Sequence, residues 1–268
     1  MDFKYAFMSF SCPELTFGQI LQLARDLGYS GIEPRTAAGH KHLVELDADA
    51  GAREAIKGQA ADQGIDLCCV ATSCRYADPT TAEENVRDTL AYIDLAADIG
   101  SPCLRVFGGK IGGELDREAA IGLVAESLRS CAKRAEKRNV VISVETHDDW
   151  CDPKHLAAVM QKVNHPNIAV NWDIMHPVRR AGYTMNDAYE AIAPWIRHVH
   201  VHDGTQDVGK LVLLPIGDGI IDHQRAMEIL KEANYDGYLS GEWIGWEPHE
   251  IHLPREIEAM RAIARQIG

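Results

Sequence analysis

The chain has 268 residues, 46% hydrophobic and 25% charged, which is the balance of an ordinary globular protein and the length of one eight-fold β/α barrel. A formal charge of −13 argues against partners gripped through their phosphates, so no nucleic acid is expected. No run approaches the ~18 apolar residues of a membrane span, and the seven cysteines (12, 68, 69, 74, 103, 131, 151) are odd in number and lack CxxC spacing, which points to reduced thiols and a cytoplasmic protein.

Strand-like and helix-like segments alternate from end to end. A first strand over 3–9 leads to a helix opened by the capping box Thr16/Gln19 and stopped at Gly28. The second strand, 30–34, is followed by a long loop, roughly 34–50, and the third spans 65–72. Thr81 with Glu84 reads as a second capping box, and its helix stops at Gly100. The strand 102–107 precedes a helix striped by Ile121, Val124, Leu128, Ala132 and Ala135. Strand 140–146 is followed by Asp152-Pro153, an N-cap with proline in the first turn. Strands 168–173, 196–202 and 238–243 complete the set, with a second long loop at 203–221 and a last helical stripe of Ile257, Met260, Ala264 and Ile267. Eight such pairs predict a (β/α)8 TIM barrel occupying 1–268 as a single domain. No Gly-rich dinucleotide fingerprint follows the first strand to favour an open sheet.

Four residues that ligate hard cations fall at the ends of consecutive apolar runs: Glu145 in VVISVE, Asp173 in IAVNWD, His200 in IRHVH and Glu242 in GYLSGE. Three carboxylates converging without a cation would cost several kcal/mol, roughly, in desolvation and repulsion. A divalent metal at the mouth of the barrel resolves that cost. An oxygen-rich set with one imidazole suits Mn²⁺ best, with Mg²⁺, Co²⁺ or Zn²⁺ as substitutes. Such an ion chelates a hydroxy-ketone and stabilises the enediolate formed when a carbon-bound proton leaves, with Glu145 and Glu242 placed to remove and return that proton. His198, His200 and His202 alternate and so share one side of their strand, the barrel interior, with His198 one layer deeper.

The segments ETH, DxxH, HVHVHDG, PIGDGIID and SGEW resemble the xylose isomerase-like barrel superfamily of sugar phosphate isomerases and epimerases, over essentially the whole chain. The resemblance implies a metal set of Glu145, Asp173, His200 and Glu242, with the two glutamates as the catalytic acid/base pair and His176 in contact with substrate. It selects His200 through the pattern His-x-x-Asp, met by His200 and Asp203. It also implies a small sugar or polyol substrate and a homo-oligomer. Two departures stand out: His202 occupies a place where the family often has lysine, and Gln206 stands where ketose epimerases carry arginine.

Further substrate contacts are expected from Glu33, Arg105, His147 and His202. For Glu33 the competing reading is a salt bridge to Arg35, for Arg105 a buried ion pair, and for His147 a role orienting a neighbour. Trp243 and Trp246 either wall the pocket or belong to the core; Asp203 either orients His200 or caps the next turn; Arg179 and Arg180 read as a solvated pair, and GDG at 217–219 as a turn. The apolar KLVLLP (210–215) could close over a ligand or meet another subunit.

The function expected is a metal-dependent isomerase or epimerase. The alternative is a lyase on a keto-sugar or keto-inositol, as in inosose and dehydroshikimate dehydratases, with a histidine supplying the leaving group's proton. Endonuclease IV shares the barrel, but the strand ends here, ATSC and VFGG, lack its additional histidines, and the acidic charge opposes DNA. A non-catalytic sugar-binding protein is the remaining class.

Overall fold

The computed structural model describes residues 3–207 and 209–268. Among them a nine-stranded, wholly parallel sheet runs in the order β3-β2-β1-β11-β8-β7-β6-β5-β4. Its strands are β1 (Lys4–Met8), β2 (Gly31–Glu33), β3 (Asp66–Leu67), β4 (Val70–Arg75), β5 (Cys103–Phe107), β6 (Val141–Glu145), β7 (Ile168–Asp173), β8 (Ile196–Val201) and β11 (Tyr238–Gly241). The small strands β9 (Asp203–Gly204) and β10 (Leu213–Leu214) form a separate antiparallel pair in the loop after β8. Around the sheet lie α1 (Phe17–Leu27), α2 (Ala50–Gln63), α3 (Ala82–Ile99), α4 (Arg117–Arg138), α5 (Pro153–Val163), α6 (Met175–Ala181), α7 (Met185–Ile192), α8 (His223–Glu232) and α9 (His249–Gln266). This is the expected α/β barrel, closed by eight staves.

The predicted third strand is split into β3 and β4, and hydrogen bonds explain the break. The Cys68 amide donates to Ile32 O, but the next donor to β2's extension is the Ala71 amide, to Pro34 O. One extra residue is therefore inserted at Cys69, a bulge that hands the stave from β2 to β5. Pro34 has no amide to give, so contact beyond it is reduced to a single Arg35–Ala71 bridge.

Alternation sorts the side chains. Leu104, Val106, Ile142, Val144, Val170, Trp172, Val199 and Leu239 are buried in one apolar cluster with α4's Val124, Leu128, Ala132 and Ala135. Their neighbours in the strands (Arg105, Ser143, Glu145, Asn171, Asp173, His198, His200, Ser240) turn into the barrel, where they too are buried. The main core is thus a shell between sheet and helices, while inside the sheet polar groups lie above a small apolar layer of Ala6, Cys68, Cys69 and Cys103.

Helix ends follow local chemistry. The Thr16 amide donates to Gln19 Oε1 at 2.9 Å, and Asp152 accepts from the Lys154 amide at 3.0 Å. Gly28 and Gly100 close α1 and α3 in the left-handed region, at φ 79° and 84°. The Thr81/Glu84 capping box does not form. Thr81 lies at φ −122°, ψ −10° and makes no side-chain cap, because its amide and that of Ala82 already turn back to Asp78 O. No helix among the described residues is long and apolar enough to cross a membrane, and all seven cysteines are free and buried.

Candidate metal centre

Strand register brings the four proposed ligands to one level. Glu145 pairs with Asn171, Asp173 with His200, and His200 with Ser240, two residues before Glu242. Glu242 lies one residue past the end of β11, tied back by its amide to Val201 O at 3.2 Å. Ligand-type atoms of Glu145, Asp173, His200 and Glu242 lie within 4.8 Å of one another, and all four residues are buried.

Several of those atoms lack a hydrogen-bond partner: both carboxylate oxygens of Glu145, Oδ2 of Asp173 and Nδ1 of His200. His200 Nδ1 faces Glu242 Oε2 at 3.2 Å and Glu145 Oε1 at 3.8 Å. Buried oxygens and an imidazole nitrogen that have charged neighbours but no hydrogen bond, converging on one spot, are a donor set that a cation satisfies. Burial opposes charge at each group, but mutual attraction prevails. The charges of His200, then Arg105, hold Glu242 at about 2, and His176 and His202 hold Asp173 well below the usual range. Glu33, Glu242 and Glu145 push His200 well above its ordinary value.

Arg105 points into the mouth and is a buried ion partner at once. Its Nε lies 3.1 Å from Glu145 Oε2, its Nη2 4.0 Å from Glu242 Oε1, and Nη1 donates to Thr72 O at 2.8 Å. It stacks on Phe107, with 4.1 Å from guanidinium carbon to ring centre.

Three histidines line the other side. His202 Nε2 is 2.8 Å from Asp173 Oδ2, and His176 Nε2 is 3.7 Å from the same atom. His176 sits in α6, because Asp173 Oδ1 accepts the amides of Met175 and His176 and starts the helix there. His147 packs on His176 with ring centres 4.6 Å apart and pairs with Asp148 at 3.3 Å. Burial opposes its charge, but Asp148 and Glu145 raise it to about 9.

Glu33 departs from expectation. It makes no pair with Arg35, whose guanidinium donates to Thr36 O and Ser73 Oγ. Its carboxylate instead lies inside the barrel against His198, His200 and Ser240, fully buried, which leaves no oxygen open to a substrate hydroxyl. Asp203 does not orient His200; its carboxylate collects the amides of Gly204, Gly217, Gly219 and Ile221 and so shapes the 203–221 loop. Arg179 braces that loop through Thr205 O and Asp207 O and is buried, where a solvated pair was expected. Trp243 is fully buried, its ring folded over Gly241, and both it and Trp246 border a 400 Å³ cavity with Phe10, Glu14 and His249. Leu211 and Val212 of the apolar patch are exposed.

Sequence reasoning missed His40 and His42. Both rings meet Ser9 Oγ at 3.1 Å and pin the 34–50 loop to the end of β1. The spacing His-x-His, the same as at 198–200, was the available signal.

A family model described as xylose isomerase-like TIM barrel matches residues 21–263. The chain belongs to that family. Among its curated relatives are the 3-dehydroshikimate dehydratase of Bacillus anthracis, 20% identical with 94% of each chain covered, and the L-ribulose-5-phosphate 3-epimerase UlaE of Salmonella heidelberg, 23% identical with 83% of this chain and 81% of that one covered. Solved structures share the barrel: the probable 3-DHS dehydratase AsbF of Bacillus anthracis (TM-score 0.81, 18% identity, 96% and 98% covered) and a xylose isomerase-like protein of Mycobacterium smegmatis in complex with magnesium (TM-score 0.74, 17% identity, 99% and 98% covered).

Proposed function

We propose that this member of the xylose isomerase-like family is a divalent-metal-dependent isomerase or epimerase that moves a proton on the carbon next to a carbonyl of a small sugar or polyol. The observation that carries the reading is the convergence of buried ligand atoms without hydrogen bonds from Glu145, Asp173 and His200, with Glu242 beside them. The residues fit a hard cation with one nitrogen and three carboxylates, Mn²⁺ best and Mg²⁺ close behind. When bound, such an ion stabilises the negative charge that develops on a carbonyl oxygen as the neighbouring C–H proton departs.

The chain's own groups do the rest. Glu145 and Glu242 flank the spot and act as the base and acid that take and return the proton. Arg105 touches both and keeps their charge tolerable in a dry site. His202 and His176 hold Asp173 in place and face the substrate.

A second reading, a lyase that expels a β-substituent after the same proton abstraction, is favoured by one observation. His147, raised to about 9 beside Asp148, carries a proton at neutral pH and stands ready as an acid for a leaving hydroxyl. The Bacillus relative's dehydratase name points the same way.

Proton NMR in D₂O with keto-sugars, keto-inositols and dehydroshikimate separates the two. Solvent deuterium entering a substrate or its epimer without water loss supports isomerisation, and an unsaturated product supports elimination. If a metal-loaded chain catalyses neither on any of these, the proposal fails. EDTA is expected to abolish turnover and Mn²⁺ to restore it; full activity of a demonstrably metal-free sample rejects the metal's role.

A further inference from the structure

We propose that Glu33 is a positioning residue for the metal centre, holding His200 in the tautomer that turns its Nδ1 toward Glu145 and Glu242; this rests on the reading of the four-residue set as a cation site. Glu33 ends β2, and its fully buried side chain crosses the barrel interior beneath the mouth. Ser240 Oγ donates to its Oε2 at 2.7 Å, His198 Nε2 lies 2.8 Å from the same atom, and His200 Nε2 lies 3.2 Å from both oxygens.

An ionised carboxylate accepts hydrogen bonds and donates none, so each imidazole nitrogen facing it carries hydrogen. With hydrogen fixed on Nε2, Nδ1 is the nitrogen that gives up its proton and turns its lone pair to an arriving cation. That nitrogen is buried without a hydrogen-bond partner and looks toward Glu242 at 3.2 Å and Glu145 at 3.8 Å. Without Glu33 the ring gains by placing its hydrogen on Nδ1, against those carboxylates and in the place of the ion. Ser240 and His198 in turn hold the Glu33 carboxylate, so the bracket is fixed from three strands, β2, β8 and β11. A carboxylate behind a ligating imidazole also raises its basicity, and removing such a partner typically weakens metal binding 10–100-fold, roughly.

The test is Mn²⁺ binding to the full chain, followed by the EPR signal of free Mn²⁺, in the native protein and in Glu33→Leu, Glu33→Gln and Val144→Ala. Glu33→Leu is expected to weaken binding on the order of 10–100-fold, and Glu33→Gln by less, because the amide oxygen still accepts from Nε2. Val144→Ala lowers the melting temperature without touching the bracket and is expected to leave the affinity unchanged. Should Glu33→Leu fail to fold, the near-isosteric Glu33→Gln decides. Equal affinity in native and Glu33 variants overturns the positioning role and leaves the cation site standing, as does an equal loss in Val144→Ala. A native chain that takes up neither Mn²⁺ nor Mg²⁺, Co²⁺ or Zn²⁺ overturns the cation site itself.

Discussion

Glu145 and Glu242 each face Arg105 on one side and His200 on the other, so neutralising either removes a proposed ligand and a proposed base together. Glu145→Gln and Glu242→Gln are each expected to lower kcat by ~10³-fold or more, and near-native turnover in either rejects the assignment. His200 and His198 sit two residues apart with opposite expected consequences. His200→Ala should empty the site in elemental analysis after gel filtration. His198→Ala removes one of the donors buried against Glu33 and should cost about 3 kcal/mol of stability while metal remains. His42 gives a pH signature away from the centre. It accepts the Val44 amide on Nδ1, and burial aided by His40 lowers its pKa from 6.5 to about 4. The unfolded chain therefore binds more protons between those values, and stability falls as pH drops through them, by about 2 kcal/mol at pH 5. Melting curves of native protein and His42→Gln should converge as the medium is acidified; parallel curves would mean that His42 is not the group responsible.

At the scale of elements, the eight strands were legible because each is a short apolar run bounded by turn residues, and register did the remaining work of aligning their ends. What the pattern did not carry was long-range hydrogen bonding. Thr16/Gln19 and Thr81/Glu84 look alike as text, yet only the first caps its helix, since the second follows a turn that has already consumed the amides. The same limit hid the true neighbour of Glu33, which lies 165 residues away along the chain. Asp203, one residue beyond the histidine ladder, shows how an acid near a site can serve a loop instead. Replacing it with alanine strands four backbone amides and should cost about 3 kcal/mol by urea denaturation. It should also raise KM more than it lowers kcat, because the loop borders the mouth; a silent Asp203→Ala would show that the loop holds its shape without it.

On the scale of the whole molecule, the barrel keeps most of its apolar packing outside the sheet and gathers its ionisable groups inside, toward the mouth. Seven free thiols are distributed through that architecture, from Cys12 beyond the first stave to Cys151 ahead of α5, and every one is shielded from solvent. Burial lifts Cys12, Cys131 and Cys151 to about 12, so those sulfurs are also held in their unreactive form. A chromogenic reagent such as Ellman's should therefore be almost inert toward the native protein and colour fully in denaturant, seven equivalents per chain. The pace of labelling under native conditions then reads out how often the barrel breathes, and any variant that loosens the staves announces itself as a faster yellowing.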